Sequence, residues 1–291
     1  MDIAFNINPN GMEGLGATLS SLIRHCSNNA KLNLWFLCSD LEMKDKDNIN
    51  QLLTQESFKG SKQFIDFDAK EHFGHLRSLH GDWTAYGRLL IPKLISSDRV
   101  LYLDTDLIVL ADVLALQEID FSEKVLAAVY GAPVEVTLDK DFFISRLKWS
   151  SKIGYFNSGV LLFNLIKWRE GNYDALIKDL MDKYPDALIS HDQTLLNAVA
   201  KGEFMHLSPN YNLTWYAGSK RPDNSEAAIL HFVGSPKPWD FLGKWLHKGY
   251  AVWVQYHAPF WNAQYGRLTT HKLYRSWKIR RSILKHLKNR L

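Results

Sequence analysis

Residues 100–109 read Val-Leu-Tyr-Leu-Asp-Thr-Asp-Leu-Ile-Val, and this stretch decides the fold of the chain. The apolar run from Val100 to Leu103 predicts a strand buried on both faces, as in a parallel sheet. Asp104 and Asp106 follow where that strand should end. In an extended chain, residues i and i+2 point to the same side, so the two carboxylates are expected to converge on one cation.

The alternative is that the two acids simply end the strand in a solvated turn. Their position favours a ligand site, because the ligands of open α/β sheets bind beyond the carboxyl ends of the strands. Two carboxylates at the rim of a buried sheet are costly unless a positive charge neutralises them. Hard divalent cations do this with oxygen ligands and keep coordination positions for substrate phosphates.

The rest of the chain shows strand patterns that alternate with helical ones. Such alternation indicates βαβ units, so the predicted fold is α/β, with a mostly parallel sheet flanked by helices. Residues 130–152 follow neither pattern and are predicted to form a binding loop or lid. The predicted strands are residues 2–7, 32–37, 64–67, 100–103, 125–129, 160–163 and 227–232, and the predicted helices include 84–95, 168–184 and 194–199.

The composition is that of an ordered globular protein. With 291 residues and 46% hydrophobic content, the chain can bury one large core, or one core plus an appendage. The two cysteines, Cys26 and Cys38, fit a reducing compartment and lack metal-type spacing. A strand pattern begins directly after Met1, so no signal peptide is expected, and no apolar run reaches the roughly 18 residues of a membrane span. The expected location is the cytoplasm.

Charge is divided unevenly along the chain. Of the 35 Lys and Arg residues, 11 lie between Phe241 and Leu291, where there is no Asp or Glu. The first 240 residues therefore carry 24 basic against 31 acidic residues. A basic block of this kind usually meets a polyanion, either nucleic acid or an anionic membrane.

Four motifs in this order resemble glycosyltransferase family 8, which includes glycogenin and bacterial lipooligosaccharide α-galactosyl- and α-glucosyltransferases. They are Leu-Asp-Thr-Asp at 103–106, Phe-Asn-Ser-Gly-Val-Leu-Leu-Phe-Asn at 156–164, His-Asp-Gln-Thr-Leu-Leu-Asn at 191–197 and His-Phe-Val-Gly-Ser-Pro-Lys-Pro-Trp at 231–239. The resemblance implies a GT-A type nucleotide-sugar-binding fold over residues 1–262, with 263–291 as a basic helical tail. It also implies retaining, metal-dependent transfer of galactose or glucose from a UDP-sugar to a saccharide acceptor such as a lipopolysaccharide or another cell-surface glycan.

The same resemblance assigns roles to individual residues. Asp104, Asp106 and His231 hold Mn²⁺, with Mg²⁺ as the alternative ion; one imidazole beside two carboxylates suits Mn²⁺. Lys237, in a turn between two prolines, contacts the donor diphosphate, where an ammonium group stabilises a leaving group of that charge. The other donor-binding residues that it implies are Asn8, Asn10, Arg88, Thr105, Asn157, Ser158, Asp192, Gln193 and Gly234.

Asp192 and Gln193 are the candidate catalytic residues. The resemblance implies that Asp192 binds hydroxyls of the donor sugar and that Gln193 lies over the anomeric carbon. Because an amide is a poor nucleophile, front-face attack is favoured, with the leaving diphosphate taking the proton of the acceptor. Double displacement requires a carboxylate nucleophile, and Asp192 is then the candidate. The structural alternative for Asp192 is a carboxylate that stabilises a helix N-terminus.

Two positions depart from the family pattern. Asn8 stands where relatives carry an Asp that accepts a hydrogen bond from uracil, and Gly131 stands where the galactosyltransferases place an Asp near the acceptor. His80 matches an acceptor-side His. Because of these departures, one alternative is a relative that binds nucleotide-sugar without turnover. A second alternative, a metal-dependent nuclease, is compatible with the paired acids and the basic tail. No nucleic-acid partner is expected.

The tail is predicted to be an interfacial helix that lies on an anionic bilayer. Its basic residues surround an apolar stripe, and Trp245, Trp253 and Trp261 just upstream suit headgroup depth. The protein is then peripheral on the cytoplasmic face of the inner membrane, and a chain that ends at Arg267 keeps its activity on a soluble acceptor. The alternative is a docked helix with a solvated basic face. The predicted stripe consists of Leu273, Trp277, Leu284, Leu287 and Leu291.

Overall fold

The computed structural model describes residues 1–79 and 81–288. Ten strands are present in these ranges, and seven of them form the central sheet. The strands are β1 (Asp2–Ile7), β2 (Asn33–Cys38), β3 (Ser61–Asp66), β4 (Arg99–Leu103), β5 (Leu107–Val109), β6 (Leu126–Pro133), β7 (Gly154–Asn164), β8 (Met205–Leu207), β9 (Leu213–Thr214) and β10 (Ile229–His231).

The central sheet has the order β3-β2-β1-β4-β7-β6-β8, and a small second sheet has the order β5-β10-β9. In the central sheet only β7 runs antiparallel to its neighbours, β4 and β6. The predicted mostly parallel sheet is therefore confirmed. Helices cover both faces, because the strands alternate with helices along the chain.

The described helices carry apolar residues on the faces that meet the sheet. In the first of them, Leu15, Leu19, Leu22 and Ile23 recur at helical spacing and are buried. The α-helices are α1 (Met12–His25), α2 (Met43–Gln55), α3 (Ala69–Phe73), α4 (Ile91–Leu94), α5 (Leu165–Glu170), α6 (Tyr173–Lys183), α7 (Asp192–Ala200), α8 (Gly243–Leu246), α9 (Tyr250–Tyr256), α10 (Pro259–Tyr265), α11 (Thr270–Lys278) and α12 (Arg280–Lys288).

The stretch 100–109 forms two strands in two different sheets: the strand predicted at 100–103 lies in β4, and residues 107–109 form β5. Asp104, Thr105 and Asp106 form a bend between β4 and β5, so the two acids are not alternate residues of one extended strand. Strands on either side hold the bend: the Asp104 N–H donates to the carbonyl of Gly159, and the Phe232 N–H donates to the carbonyl of Asp106. The acids sit at the junction of the sheets.

Gly14 in the first turn of α1 lets the helix approach this bend closely. A Cβ at position 14 would lie 2.4 Å from the carbonyl oxygen of Thr105 and 2.8 Å from the ring of Trp239. The Thr18 hydroxyl, one turn later, donates to the carbonyls of Thr105 and Leu107. Helix α1 therefore packs against the backbone of the bend and holds it in place.

Three other predicted segments differ in the structure. The predicted helix 84–95 is a 3-10 helix, Thr84–Leu90, followed by α4, and the irregular stretch contains a π-helix, Asp141–Arg146. The predicted helix 168–184 is broken between α5 and α6, where Asn172 adopts a left-handed conformation with φ of 51°. The helical periodicity continues across the break, which is why the sequence pattern alone did not locate it.

The C-terminal residues return to the body of the protein. Helix α10 runs across residue 262, and Trp261 within it is fully buried, with its indole N–H bonded to the carbonyl of Met12. Trp253 is also buried, so these two tryptophans fill the core, and of the three tryptophans assigned to headgroup depth Trp245 alone is exposed. The single tail helix predicted from the sequence is two helices, α11 and α12. No described helix is long and apolar enough to cross a bilayer.

Candidate active site

Asp104, Asp106 and His231 come together at the edge where β4 ends and the small sheet begins. The imidazole Nε2 of His231 lies 3.2 Å from Asp106 Oδ1 and 3.9 Å from Asp104 Oδ2. One ligand atom from each residue falls within 4.8 Å of the other two. Two carboxylates and an imidazole at this spacing form a ligand set for a divalent cation such as Mn²⁺.

The Asp106 carboxylate fits a bound cation in a further respect. Its Oδ1, which faces His231, is buried without a hydrogen-bond partner among the described residues, whereas its Oδ2 lies 2.6 Å from the Lys237 ammonium. An unsatisfied buried carboxylate oxygen is costly unless a cation or donor meets it. Burial alone would raise the pKa of Asp106, but the Lys237 ammonium above all holds it well below its usual value, so the carboxylate is ionised and ready to ligate.

Gly159 on β7 lies directly against this set of ligands. A Cβ at this position would lie 2.3 Å from Cε1 of His231 and 2.8 Å from Oδ2 of Asp104. Any side chain would therefore push these two groups apart. The glycine therefore serves the packing of the ligand residues themselves.

One backbone N–H group fixes the orientation of the two amide side chains behind His231. The N–H of Gly159 donates to Asn157 Oδ1, so Asn212 Nδ2 must be the donor in its 3.1 Å contact with that same oxygen. Asn212 Oδ1 is then the acceptor for Nδ1 of His231 at 2.9 Å. This leaves the lone pair of His231 on Nε2, the nitrogen that faces the two carboxylates. Such outer partners orient metal-binding histidines.

The same network continues to Gln193. Its Oε1 accepts from Asn157 Nδ2 at 3.1 Å and from the Ser158 N–H at 3.0 Å, while its Nε2 donates to the Tyr155 hydroxyl at 2.8 Å. Tyr155 in turn donates to the buried carboxylate of Asp139. Burial, and then Asp139, hold the pKa of Tyr155 well above its usual value, so the hydroxyl stays protonated. The Gln193 amide is thus rigidly held, as a positioning group must be.

Arg88 is a buried guanidinium that joins the cation site to the second candidate carboxylate. It lies 2.9 Å from Asp104 Oδ1 and 2.9 Å from Asp192 Oδ2, and it donates to the carbonyl of Ser158 at 2.7 Å. Its plane covers the ring of Tyr102 at 4.2 Å. Burial alone would lower the pKa of Arg88, but Asp104 and Asp192 raise it above its ordinary value. Arg88 is therefore a buried part of the site and not a charge on the protein surface.

Asp192 is the first residue of α7 and is 4% exposed. Burial raises its pKa to about 6, although Arg88 opposes the shift. Both of its close contacts, with Arg88 and with the Ser158 hydroxyl, use the single oxygen Oδ2. The carboxylate is therefore ionised above pH 6 and anchored by one of its two oxygens.

A cavity of about 510 Å³ opens beside the Asp-x-Asp bend, within the range of small-ligand sites. Asn10, Thr105, Asp106 and Lys237 line it, as predicted donor-binding residues should. Gly234 lies in the loop before Lys237 with φ of 72°, which a glycine adopts without strain. His80 falls outside the described residues.

Asn8 does not offer a free acceptor at this cavity. Its Oδ1 caps the following turn by accepting from the N–H groups of Asn10 and Gly11, and its Nδ2 lies 2.5 Å from Asp82 Oδ2. Asp82, which lines the cavity, therefore places a carboxylate next to the position where the family pattern has one. No sequence motif indicated a role for four further residues, because each gains its role only through a contact that the fold creates. These residues are Asp82, Asn212, Tyr155 and Asp139.

A mostly parallel α/β sheet with an Asp-x-Asp bend, a facing His and a cavity at its carboxyl edge defines a GT-A type glycosyltransferase. The profile of Glycosyl transferase family 8 matches residues 2–243, so the chain belongs to that family. The predicted family and fold class are confirmed, and the nuclease alternative loses its support.

The relatives agree with this assignment. General stress protein A of Bacillus subtilis is 26% identical over 78% of this chain and 82% of its own length. The lipopolysaccharide 1,3-galactosyltransferase of Salmonella typhimurium is 27% identical over 94% of this chain and 83% of its own. The crystal structure of the galactosyltransferase LgtC, in complex with donor and acceptor sugar analogs, gives a TM-score of 0.72 at 22% identity, covering 93% of this chain and 98% of that one. This last likeness shows the shared fold.

Proposed function

We propose that the protein is a retaining, metal-dependent hexosyltransferase that moves galactose or glucose from a UDP-sugar to a saccharide acceptor, such as a lipopolysaccharide or another cell-surface glycan. The observation that carries the proposal is the unpaired, buried Oδ1 of Asp106, which faces Nε2 of His231 beside Asp104 and the Lys237 ammonium. Asp104, Asp106 and His231 would hold Mn²⁺, or Mg²⁺ in its place. When bound, the ion neutralises charge on the donor diphosphate.

Lys237 acts on the leaving group. Its ammonium is 15% exposed and already lies at the carboxylate edge of the cavity, 2.6 Å from Asp106. As the bond between the sugar carbon and the diphosphate breaks, negative charge grows on the diphosphate oxygens. A fixed ammonium stabilises that charge more in the transition state than in the ground state, which lowers the barrier.

The sugar end of the donor meets Asp192 and Gln193. Because Arg88 and Ser158 occupy only Oδ2 of Asp192, its Oδ1 accepts from a hydroxyl of the donor sugar. The Gln193 amide, fixed by Asn157, Ser158 and Tyr155, lies over the anomeric carbon and positions it. Placing the reacting carbon and the acceptor hydroxyl in register is itself a large catalytic effect.

The transfer proceeds on one face of the sugar. The bond from the anomeric carbon to the diphosphate breaks, the acceptor hydroxyl oxygen forms its bond on the same face, and the hydroxyl proton passes to the departing diphosphate. This route is favoured because the held amide of Gln193 is a poor nucleophile. Mass spectrometry of a Gln193→Glu variant separates the routes: a glycosyl adduct on Asp192 would show double displacement.

At the nucleotide end, Asn10 contacts the ribose and Asp82 takes over the uracil contact that Asn8 has given up. Asn8 is engaged by its own turn and by Asp82, whereas the Asp82 carboxylate lines the cavity. A carboxylate oxygen there accepts the ring N–H of uracil. His80 is proposed to lie on the acceptor side.

The tail is proposed to hold the enzyme at the cytoplasmic face of the inner membrane, where a lipid-linked acceptor is presented. Leu273, Trp277 and Leu284 of the predicted stripe are 49%, 64% and 56% exposed, and Leu287 is also exposed. Lys and Arg side chains lie between them, and an exposed apolar stripe of this kind inserts at headgroup depth. Leu291, the last member of the stripe, falls outside the described residues.

The test of the proposed reaction is release of UDP from a panel of UDP-sugars, with hydrolysis as the readout in the absence of acceptor. We expect release from UDP-galactose or UDP-glucose that requires Mn²⁺ or Mg²⁺ and stops in excess chelator. Co-sedimentation with anionic liposomes tests the tail: binding should weaken with salt, because each basic residue contributes about 1 kcal/mol near the surface. Release without metal, or salt-insensitive binding, would contradict the respective proposal.

A further inference from the structure

Part of the wall of the donor cavity comes from the C-terminal tail. The cavity that Asn10, Thr105, Asp106 and Lys237 line is closed on another side by α11 and the residues just before it. A segment that served only as an anchor would have no reason to contribute to this cavity. The tail residues in the wall are Thr269, Lys272, Tyr274, Arg275, Lys278 and Ile279.

Two ion pairs tie α11 to opposite parts of the cavity. Lys272 lies 2.5 Å from the carboxylate of Glu13, which follows the loop that carries Asn10. Arg275 contacts Asp240 through two nitrogens, at 2.6 and 3.0 Å, and the Asp240 side chain is only 4% exposed. Paired guanidinium and carboxylate groups in this geometry fix direction as well as distance.

The Asp240 contact leads directly to the backbone of Lys237. Asp240 Oδ2 accepts from the backbone N–H of Lys237 at 2.7 Å, and the Lys237 ammonium lies 2.6 Å from Asp106. The hydroxyl of Ser282 on α12 donates to the carbonyl of Ser235, at the start of the same loop. The two tail helices therefore hold the loop from Ser235 to Asp240 near both of its ends.

The exposure of the α11 side chains agrees with a helix that contacts the body on one face and leaves another face exposed. Lys272, Arg275 and Ile279 face the body at helical spacing, whereas Leu273 and Trp277 face solvent. The basic residues that turn inward are those that meet buried carboxylates. One helix thus has a face toward the site and a separate apolar face toward the surroundings.

We propose that α11 is a wall of the donor site and that Arg275 is a positioning residue, which fixes the Lys237 ammonium toward the donor diphosphate through Asp240. The inference rests on the proposed function, since the diphosphate is its ligand. Removal of Arg275 leaves the buried Asp240 without its counter-charge, so the loop relaxes and the ammonium moves. From the sequence alone, a chain that ends at Arg267 is expected to stay active; the contacts of α11 reverse that expectation.

The test uses the full chain, wild type and Arg275→Met, with UDP affinity measured by calorimetry in Mn²⁺ and kcat/KM measured for UDP-sugar hydrolysis without membrane or acceptor. Loss of an outer partner should lower both by roughly 10- to 100-fold. Arg275→Lys keeps the charge without the paired geometry and should fall between. The matched control is Arg24→Met, which removes a similar paired contact with Glu56 elsewhere on the surface and should leave both values unchanged.

A double-variant cycle with Lys237→Ala separates positioning from a general loss of structure. If Arg275 acts through Lys237, Arg275→Met should add little to the defect of Lys237→Ala. Equal losses in both backgrounds, or wild-type UDP affinity in Arg275→Met, would overturn the proposal. A wild-type protein that neither binds UDP nor hydrolyses any UDP-sugar would instead remove the proposed function itself.

Discussion

The Asp-x-Asp edge, which consists of Asp104, Asp106 and the residues that contact them, borders the same cavity as the C-terminal tail. The two regions are built in different ways. At the edge, Arg88 and Asp192 are buried and held by several contacts each, from strands and helices far apart in the chain. In the tail, most side chains are exposed, and polar contacts such as the Lys272 and Arg275 ion pairs connect the helices to the body.

The difference teaches which part of the site is rigid and which part is adjustable. Buried charges are costly to separate from their partners, so the geometry of the edge is fixed when the core folds. Ion pairs nearer the surface contribute less and weaken with salt. We therefore expect the tail to be the part of the cavity wall whose position solution conditions can change, and each prediction below tests one side of this contrast.

The largest effect on stability is expected at Arg88. Arg88→Met leaves the buried carboxylate of Asp192 and the half-buried one of Asp104 without their shared counter-charge, which should cost about 3–5 kcal/mol of unfolding free energy. Lys178→Met, which removes an ion pair with Asp182 in which both side chains are exposed, should cost no more than about 1 kcal/mol. Urea unfolding of both variants measures the contrast, and equal costs would show that the edge is not the rigid part.

The next effect concerns catalysis at the point where the two regions meet. Lys237→Ala should cost about 2–4 kcal/mol of transition-state stabilisation, or roughly a 30- to 1,000-fold fall in kcat/KM for the donor. Lys178→Ala, which removes an exposed ammonium paired with Asp182, is the matched control and should behave as wild type. A defect of Lys237→Ala confined to the KM of the acceptor would assign the residue a different role.

The smallest effect is a pH dependence of the tail contact. Burial raises the pKa of Glu13 to about 7, although Lys272 opposes the shift; Asp240 and Arg275 also face it. The folded chain therefore holds a proton on Glu13 between about pH 4.5 and 7 that the unfolded chain releases. The unfolding free energy of wild type should fall relative to Glu13→Gln as pH rises through that window, by at most about 1.4 kcal/mol per unit. A pH-independent difference in urea unfolding would contradict this.

The sequence was most informative where local pattern and chemistry coincide. Leu103 to Asp106, Asn157 to Gly159 and His231 combine strand patterns with unusual polar residues, so the fold class, the family and the Asp104, Asp106 and His231 cluster were all predicted. The bend between β4 and β5 was not, because two acids at positions i and i+2 are expected to converge in an extended chain as well as in a bend.

What the sequence missed depends on contacts between distant segments. Asn212 and Asp139 gain their roles only because β7 and α7 bring Asn157, Gln193 and Tyr155 beside them. The inward face of α11 was missed for a similar reason: Lys272 and Arg275 belong to a basic segment whose local pattern predicts solvent or membrane. Only the fold places Glu13 and Asp240 opposite them.

The most direct test of the central claim is calorimetric titration of UDP into wild type and Asp106→Asn, each with and without Mn²⁺. If Asp104, Asp106 and His231 join one ion to the donor diphosphate, wild type should bind UDP far more tightly with Mn²⁺ than without it. Asp106→Asn should lose that gain while keeping its fold by circular dichroism. Tight binding of UDP to wild type that is indifferent to Mn²⁺, or an undiminished Mn²⁺ effect in Asp106→Asn, would contradict the assignment of the site.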